Sequence, residues 1–273
     1  METPHQGTAL FHLPGLFEFY DLYAAFLPLY RAHREYFYDW CAIGSIYGAP
    51  SDCLWAGGRV EYSDRTPREV LALTREYGIS ARLTLSNSLL RPEHLTDPDC
   101  NALCRLFQEQ NDPQNGAIVH AELLTQYLKK NYPSLYLVSS TTKVLTDFND
   151  LQRELARPEF RYVVPDFRLN RAFDRLAALP QSRKDKVEFL CNECCWFGCT
   201  ERRACYEAVS RKNLGLPGPE HYCSAPGAAG GYRFSRAMAN PGFIGIKAIR
   251  DTYLRGASPN SRSRGAAWQC ADP

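Results

Sequence analysis

The sequence predicts an α/β fold, a parallel barrel of the TIM (β/α)8 type. Short apolar segments alternate with helical segments from Cys41 to Ser210, and the short links between them imply parallel strands with right-handed crossovers. Polar residues follow nearly every apolar segment, as they do at the active face of a barrel. A doubly wound open sheet is the alternative, but it would concentrate its polar groups at one switch point.

Composition limits the class of protein. A chain of 273 residues with 45% hydrophobic residues suits one large α/β domain. The 32 basic and 30 acidic residues give a formal charge of +2, so no strong field favours nucleic acid, although an RNA partner stays open. No apolar run approaches the roughly 18 residues of a membrane span, and the first ten residues lack a signal pattern. We expect a cytoplasmic protein, in which 11 cysteines indicate metal ligation before disulfides.

Segment 1–40 is predicted to be helical and to pack on the barrel. Its apolar residues recur at helical spacing, so we expect a helix that starts after Pro14-Gly15, continues past Pro28 and ends near His33. The barrel domain is assigned to 41–255.

Six β/α units can be recognised within that domain. The predicted strands are 41–47, 81–85, 117–119, 135–139, 162–164 and 186–190. The first predicted helix starts directly after Thr66, and the later ones are 99–110, 123–131, 148–156, 170–178 and 203–211. The first of them has the form of a capping box, with Thr66 as N-cap and Glu69 at the third helical position.

Cysteines are concentrated in segment 191–206, CNECCWFGCTERRACY, which follows the sixth strand and holds five of the 11 cysteines. Thiolates at this density indicate a soft metal, a disulfide or a redox role. Iron–sulfur clusters and structural zinc both accept four thiolates. Zinc usually uses two CxxC-like pairs, and here only Cys191 and Cys194 have that spacing. Cys100 and Cys104, spaced i and i+4 on a helix, are predicted to be small core side chains.

Several motifs together resemble the collagenase-like PrtC peptidase family. They are PGLFEFYDLY, IYGAPSDC followed by WAGGR, LTLSNSLL, SSTTK, and NExCxxxC with ExR and CY after it, and they span about Pro14 to Leu254. The resemblance implies a TIM barrel. It also implies relatives that hydroxylate ubiquinone precursors and RNA bases without oxygen and hold a [4Fe-4S] cluster on four cysteines. The chain departs from the family at Ala56, Thr200 and Cys205, where Asn, Pro and His are usual.

The family habit of drawing one ligand from the early loop suggests a cluster site. Cys53 follows the first predicted strand, and Cys223 is expected at the same face as Cys195 and Cys199. We therefore predict a [4Fe-4S] cluster on Cys53, Cys195, Cys199 and Cys223, with Cys191 as the substitute for Cys53 and zinc as the alternative metal. Cys194 is expected to point away.

The C-terminal segment 256–273 differs from the family pattern. After Leu254 the family has a closing strand, whereas this chain reads RGASPNSRSRGAAWQCADP, which has the composition of a disordered or aberrant tail. A frameshifted or truncated reading frame and true divergence both fit this sequence. We therefore expect a barrel that is incomplete at its C-terminus.

The candidate catalytic residues are polar groups at the predicted strand ends: Asn87, Lys143, Asp166, Glu193 and Arg202. A carboxylate beside a metal can act as acid or base, or can orient the ligands. Asp166 could instead cap the next loop, and Lys143 could be a solvated surface charge. The sequence has neither a Ser–His–Asp order nor a HExxH motif, which argues against classical protease chemistry.

The cysteine segment and the resemblance together imply an iron–sulfur barrel enzyme that, like those relatives, modifies a small aromatic or nucleobase substrate by oxygen-independent hydroxylation. One alternative is a non-catalytic, cluster-bearing subunit in a heterodimer with a related barrel protein. The other is a peptidase, as the older family label suggests.

Overall fold

The structure is a computed structural model of the chain. It describes residues 8–58, 62–191, 195 and 198–218, together with the backbone of 245–247.

The described residues form an α/β sheet structure. Its strands are Ala9–Pro14 (β1), Cys41–Gly48 (β2), Ser80–Leu85 (β3), Gly116–Val119 (β4), Tyr136–Ser139 (β5), Phe160–Val163 (β6), Glu188–Leu190 (β7) and Gly245–Lys247 (β8). Its α-helices are Tyr20–Ala32 (α1), Pro67–Glu76 (α2), Pro98–Glu109 (α3), Glu122–Asn131 (α4), Phe148–Ala156 (α5), Phe173–Ala177 (α6), Gln181–Lys184 (α7) and Arg202–Asn213 (α8). Short 3-10 helices occur at Arg34–Tyr36, Pro92–Thr96, Thr141–Lys143 and Phe167–Arg171.

Strands β1 to β6 lie side by side in chain order and are all parallel. Beyond β1 the sheet continues through β8 to β7. A single parallel bridge between Val163 and Val187 then brings β7 next to β6. The α/β class and the curled parallel sheet are confirmed, and the sheet is consistent with an incomplete barrel.

The eighth strand corrects the prediction of an all-parallel (β/α)8 barrel. β8 is antiparallel to both of its neighbours, with Ile246 opposite Phe11 of β1 and Phe189 of β7. Antiparallel neighbours need no crossover helix, so the strand-and-helix alternation that predicted parallel pairing does not apply to this strand. The predicted tail, 256–273, lies outside the described residues.

The N-terminal segment contains the predicted helix and also a strand that was not predicted. Helix α1 confirms the periodicity, and Pro28 lies inside it. The preceding run, Ala9–Pro14, forms β1 and pairs with β2 over its whole length. The sequence pattern does not indicate this strand, because one of its two buried positions is His12, which is not an apolar residue. The proposed division at residue 40 stays a prediction.

Two apolar clusters lie on opposite faces of the sheet. The larger one fills the space between the strands and the helices, where Leu83 and Leu85 of β3 are buried with Phe107 of α3. The smaller one consists of Ile118, Tyr136, Val138 and Val164, from the opposite face of the neighbouring strands. The curled sheet therefore has an inner face as well as a helix-covered outer face.

A buried ion pair crosses that inner face. Arg82 of β3 donates from Nη1 to Glu188 Oε2 of β7 at 2.8 Å, and both side chains are almost fully buried. The two strands are not neighbours in the sheet order, so this contact spans the interior. Burial acts to lower the pKa of Arg82, but Glu188 and Tyr136 outweigh it and raise that pKa above its ordinary value.

The start of α2 follows directly from local sequence. Thr66 Oγ1 accepts from the Glu69 backbone N–H, and Glu69 Oε2 accepts from the Thr66 N–H at 2.7 Å, which is the predicted capping box. Pro67 occupies the first turn, where its missing N–H costs nothing. Among the helices of the described residues, none has the length and apolar character that crossing a membrane requires.

Candidate functional site

Helix α8 lies across the carboxyl ends of the parallel strands. Near its start, Arg202 Nη2 donates to Thr141 Oγ1, after β5, at 3.2 Å. Two turns later the Ser210 carbonyl accepts from Asn87 Nδ2, after β3, at 3.2 Å. Near its end, Asn213 Nδ2 donates to the Ala56 carbonyl, in the loop after β2, at 2.6 Å. The helix therefore covers the face on which a barrel carries its active site.

A cavity of about 270 Å³ lies between α8 and the loops that follow three consecutive strands, β3, β4 and β5. Its lining is mostly polar and charged. It consists of Ser88, Leu89, His120, Thr142, Lys143, Arg203, Tyr206 and Glu207. The volume suits a single small ring and its substituents.

His120 supplies a neutral imidazole to this cavity. Burial, with Lys143 and Arg203 nearby, lowers the pKa of His120 to about 4. Its Nδ1 lies 2.8 Å from Thr142 Oγ1, and the Thr142 hydroxyl donates to Ser140 Oγ at 2.9 Å. Because the hydroxyl has only one proton and gives it to Ser140, Thr142 accepts from Nδ1–H. The unprotonated nitrogen is then Nε2, which can accept a proton or a hydrogen bond.

Lys143 is held at the cavity wall by Glu154. Its Nζ lies 2.5 Å from Glu154 Oε1, which also accepts from Ser139 Oγ at 2.5 Å. Burial lowers the pKa of Lys143 despite this ion pair. Burial acts in the opposite direction on Glu154, but the hydrogen bonds from Lys143 and Ser139 keep the pKa of Glu154 below its ordinary value. Lys143 is therefore a buried, paired group and not a solvated surface charge.

Asp166, after β6, is fully buried and engaged by two arginines. Arg168 binds it in a bidentate manner, with Nε at 2.6 Å from Oδ1 and Nη2 at 3.0 Å from Oδ2. Arg202 Nη1 lies 3.7 Å from Oδ2. The hydrogen bond to Asp166 is the main cause that raises the pKa of Arg168. Asp166 and Arg202, both predicted as site residues, thus lie together. Their contacts hold the start of α8 against the loop after β6.

Asn87 is fully buried beneath α8. Its Nδ2 donates to the carbonyls of Leu54 and Ser210, each at 3.2 Å, and its Oδ1 accepts from the Leu89 N–H at 3.0 Å. All of its polar atoms are occupied by backbone groups. In this arrangement Asn87 connects the loop after β2, the loop after β3 and α8.

The predicted cluster ligands are only partly within the described residues. Cys195 and Cys199 are half-buried, and the Cys199 carbonyl accepts from Arg168 Nη1 at 2.8 Å. Cys53 is buried, with its Sγ 3.6 Å from the Sγ of Cys100. Glu193, Cys194 and Cys223 lie outside the described residues. Over the part of the chain that is described, no three His, Cys, Asp or Glu side chains are placed to hold a metal ion.

Of the residues that line the cavity, the sequence predicted only Lys143 as a site residue, and the most informative of those it missed are His120, Arg203 and Tyr206. His120 directly follows the strand Gly116–Val119, so the same strand-end rule that selected Asn87 and Lys143 would have found it. No cysteine lies near His120 in the sequence, so a pattern of metal-binding thiolates does not indicate this histidine. Arg203 and Tyr206 enter the cavity only because α8 crosses this face, which no local pattern specifies.

Comparison with known proteins shows the fold. No family model and no curated protein matches the sequence. A solved structure of a U32 peptidase superimposes with a TM-score of 0.50 at 15% sequence identity, covering 84% of this chain and 86% of that one. At this identity the likeness is one of architecture: the class defined here is an α/β protein with a curled, mainly parallel sheet. The peptidase activity in that protein's name belongs to the solved protein.

Proposed function

We propose that the protein is an enzyme that binds a small aromatic or nucleobase ring in the cavity beneath α8 and modifies it there. The observation that carries this proposal is a neutral His120 beside Arg203 and the Glu154-paired Lys143, in a cavity of about 270 Å³ that Glu207 also lines. A ring that carries a carboxylate, a phenolate or carbonyl groups fits this charge pattern. An uncharged hydrocarbon does not.

Each lining group has a role that follows from its chemistry. His120 Nε2 accepts a hydrogen bond or a proton from a substrate N–H or O–H group. Lys143 and Arg203 stabilise negative charge that is present on the substrate or develops during the reaction. Helix α8 limits the access of water to the bound ring, because Arg203, Tyr206 and Glu207 of this helix line one side of the cavity.

The proposal extends to an iron–sulfur cluster near the start of α8. Its ligands would be Cys195, Cys199 and Cys223, with Cys191 or Cys53 as the fourth. When bound, such a group would supply the electron transfer that an oxygen-independent hydroxylation needs. The contact of Cys53 with Cys100 supports Cys191 as the fourth ligand, since a thiol packed against another thiol must be pulled away before it can bind iron.

Ligand binding tests the cavity. Benzoate and uracil, titrated against the full chain by calorimetry, are expected to bind, whereas cyclohexanol is not. The substitution Arg203→Gln should weaken benzoate binding by about tenfold, the effect of losing roughly 1.4 kcal/mol of charge interaction.

Arg211→Gln is the matched control, because Arg211 lies on the same helix and is exposed but does not line the cavity. Equal loss of benzoate affinity in both variants would contradict the site, as would tight binding of cyclohexanol.

Anaerobic purification tests the cluster. Brown protein with visible absorption and about four irons per chain is expected. Cys195→Ser and Cys199→Ser should lose the iron, while Cys41→Ser, at the opposite end of β2, should keep it. Full iron in the Cys195 and Cys199 variants, or colourless protein that contains zinc, would overturn this part of the proposal.

A further inference from the structure

Three cysteines lie together between the loop after β2 and helix α3. Cys53 comes from that loop, and Cys100 and Cys104 come from successive turns of α3. Their exposed fractions are 7%, 2% and 0%. The sulfurs of Cys53 and Cys100 are 3.6 Å apart, and both residues are free thiols.

We propose that Cys53 and Cys100 form a redox-active dithiol, a site that closes to a disulfide when a hydroperoxide oxidises it. This inference requires neither the cavity nor a cluster, and it agrees with the choice of Cys191 over Cys53 as the fourth cluster ligand.

The distance between the two sulfurs suits this reaction. A disulfide needs its sulfurs about 2.05 Å apart, so they must approach by roughly 1.5 Å. Side-chain rotation, with a small movement of the loop, can supply an approach of this size. The loop is better able to move than the helix, because Cys53 lies in a turn fixed by two backbone hydrogen bonds, from Cys53 N–H to Pro50 and from Ala56 N–H to Cys53.

The reaction balances with a hydroperoxide as the oxidant. Cys53, the more exposed of the two thiols, loses its proton and attacks a peroxide oxygen, which breaks the O–O bond and leaves a sulfenic acid at Cys53. Cys100 then attacks that sulfur, and the S–OH oxygen leaves as water. In total, two thiols lose two electrons and two protons, and hydrogen peroxide becomes two molecules of water.

The surroundings make this a slow site, because both thiols are more than nine-tenths buried and a peroxide has little access to them. Cys104 is the alternative partner for Cys53, because it lies one turn beyond Cys100 on the same helix.

Closure of the disulfide would fix the loop that supports the candidate site. In this loop the Trp55 carbonyl accepts from the Asn87 N–H at 3.0 Å, and the Ala56 carbonyl accepts from Asn213 of α8. A disulfide between Cys53 and Cys100 would link the loop after β2 covalently to helix α3.

Peptide mapping of the full chain tests the proposal. The protein is treated with hydrogen peroxide or with a phosphine reductant, its free thiols are alkylated, and it is digested without reduction for mass spectrometry. We expect the oxidised sample to contain a linked pair of peptides, one with Cys53 and the other with Cys100, and the reduced sample to contain none. The oxidised protein should also melt several degrees higher than the reduced protein, because the link restricts the unfolded chain.

Three variants assign the bond. Cys100→Ala should abolish the linked peptides and the melting shift, whereas Cys104→Ala and Cys41→Ser should retain both. Alkylated Cys53 and Cys100 in the oxidised wild-type chain would overturn the proposal even if a variant failed to fold. A linkage that survives in Cys100→Ala but disappears in Cys104→Ala would also overturn it.

Discussion

The imidazole of His120 illustrates how burial decides the state of one side chain. It is hydrogen-bonded to Thr142 and lies near Lys143 and Arg203, whereas Glu154 acts in the opposite direction and favours its protonated form. Desolvation is the largest influence and the two cations add to it. The ring therefore stays neutral in the folded protein under conditions where an exposed histidine would gain a proton.

This difference predicts a loss of stability in mild acid. The pKa of His120 is lowered from 6.5 to about 4, so between these values only the unfolded chain binds the extra proton. The stability that His120 contributes is fully present above pH 6.5. It is lost as the pH falls through this window, and the loss amounts to about 2–3 kcal/mol.

Urea unfolding at pH 7 and pH 4.5 measures the effect. The stability difference between the wild type and His120→Gln should change by about 2–3 kcal/mol between the two pH values, in the direction that favours the variant at low pH. Carboxylates titrate in both proteins, so their contribution cancels in this comparison. An unchanged difference would mean that His120 is already protonated in the folded state at pH 4.5.

At the scale of elements, the loop after β2 is placed by close backbone contact. A Cβ built on Gly57 would overlap the backbone of Ser86 and Asn87, at the carboxyl end of β3. Only a residue without a side chain lets these two segments touch. A Cβ on the adjacent Gly58 would approach nothing closer than the Thr84 methyl group, at 3.3 Å.

The two glycines therefore form a matched pair for mutation. Gly57→Ala should destabilise the protein by about 2–3 kcal/mol, because backbone must move to admit the methyl group. Gly58→Ala should cost less than about 1 kcal/mol, since it needs only a small shift of a side chain. The free energies of unfolding from urea titrations of both variants give the comparison. Equal costs would show that the loop is not held in this close contact.

Elements whose cause is local could be predicted from the sequence. The capping box at Thr66 and the helix through Pro28 were both predicted, because the residues that form them are a few positions apart. The strand-end rule likewise placed Asn87, Lys143 and Asp166 on one face. The direction of β8 and the position of α8 depend on contacts between distant segments, so local patterns did not reveal them. The sequence predicted only a packing role for Cys100. Its contact with Cys53 joins residues 47 positions apart, so no local pattern indicates it.

At the scale of the whole molecule, the interior ion pair connects opposite sides of the sheet. Arg82 belongs to β3 and Glu188 to β7, and His12 of β1 approaches Glu188 with its Nε2 at 3.5 Å. Tyr136 of β5 accepts from Arg82 Nε at 2.7 Å. Four strands therefore meet at one buried charge cluster. Alternation patterns cannot predict such a cluster, because its partners are far apart in the chain.

Breaking this pair should be costly. Glu188→Gln leaves the Arg82 cation buried without its carboxylate, and we expect the free energy of unfolding to fall by about 3–5 kcal/mol. The double variant Arg82→Met with Glu188→Leu removes both charges and should be more stable than the single variant. Both values come from urea denaturation.

The exposed pair of Arg65 and Asp21, 2.9 Å apart, is the control. Asp21→Asn should change stability by less than about 1 kcal/mol, because solvent screens exposed charges. If the double variant is less stable than Glu188→Gln, the unpaired charge of Arg82 is not the cause of the loss and the expectation is wrong.

The same ion pair has a consequence for synthesis of the chain. Arg82 and Glu188 are 106 positions apart, so a growing polypeptide completes β1 to β6 before the carboxylate for Arg82 has been made. Until β7 arrives, the nascent sheet must leave this arginine in water or bury it unpaired, and burial without a partner is strongly unfavourable. Such long-range closure slows folding. We therefore expect water to remain in contact with the inner face of the sheet through most of translation. It is expelled only when β7, which carries Glu188, emerges from the ribosome.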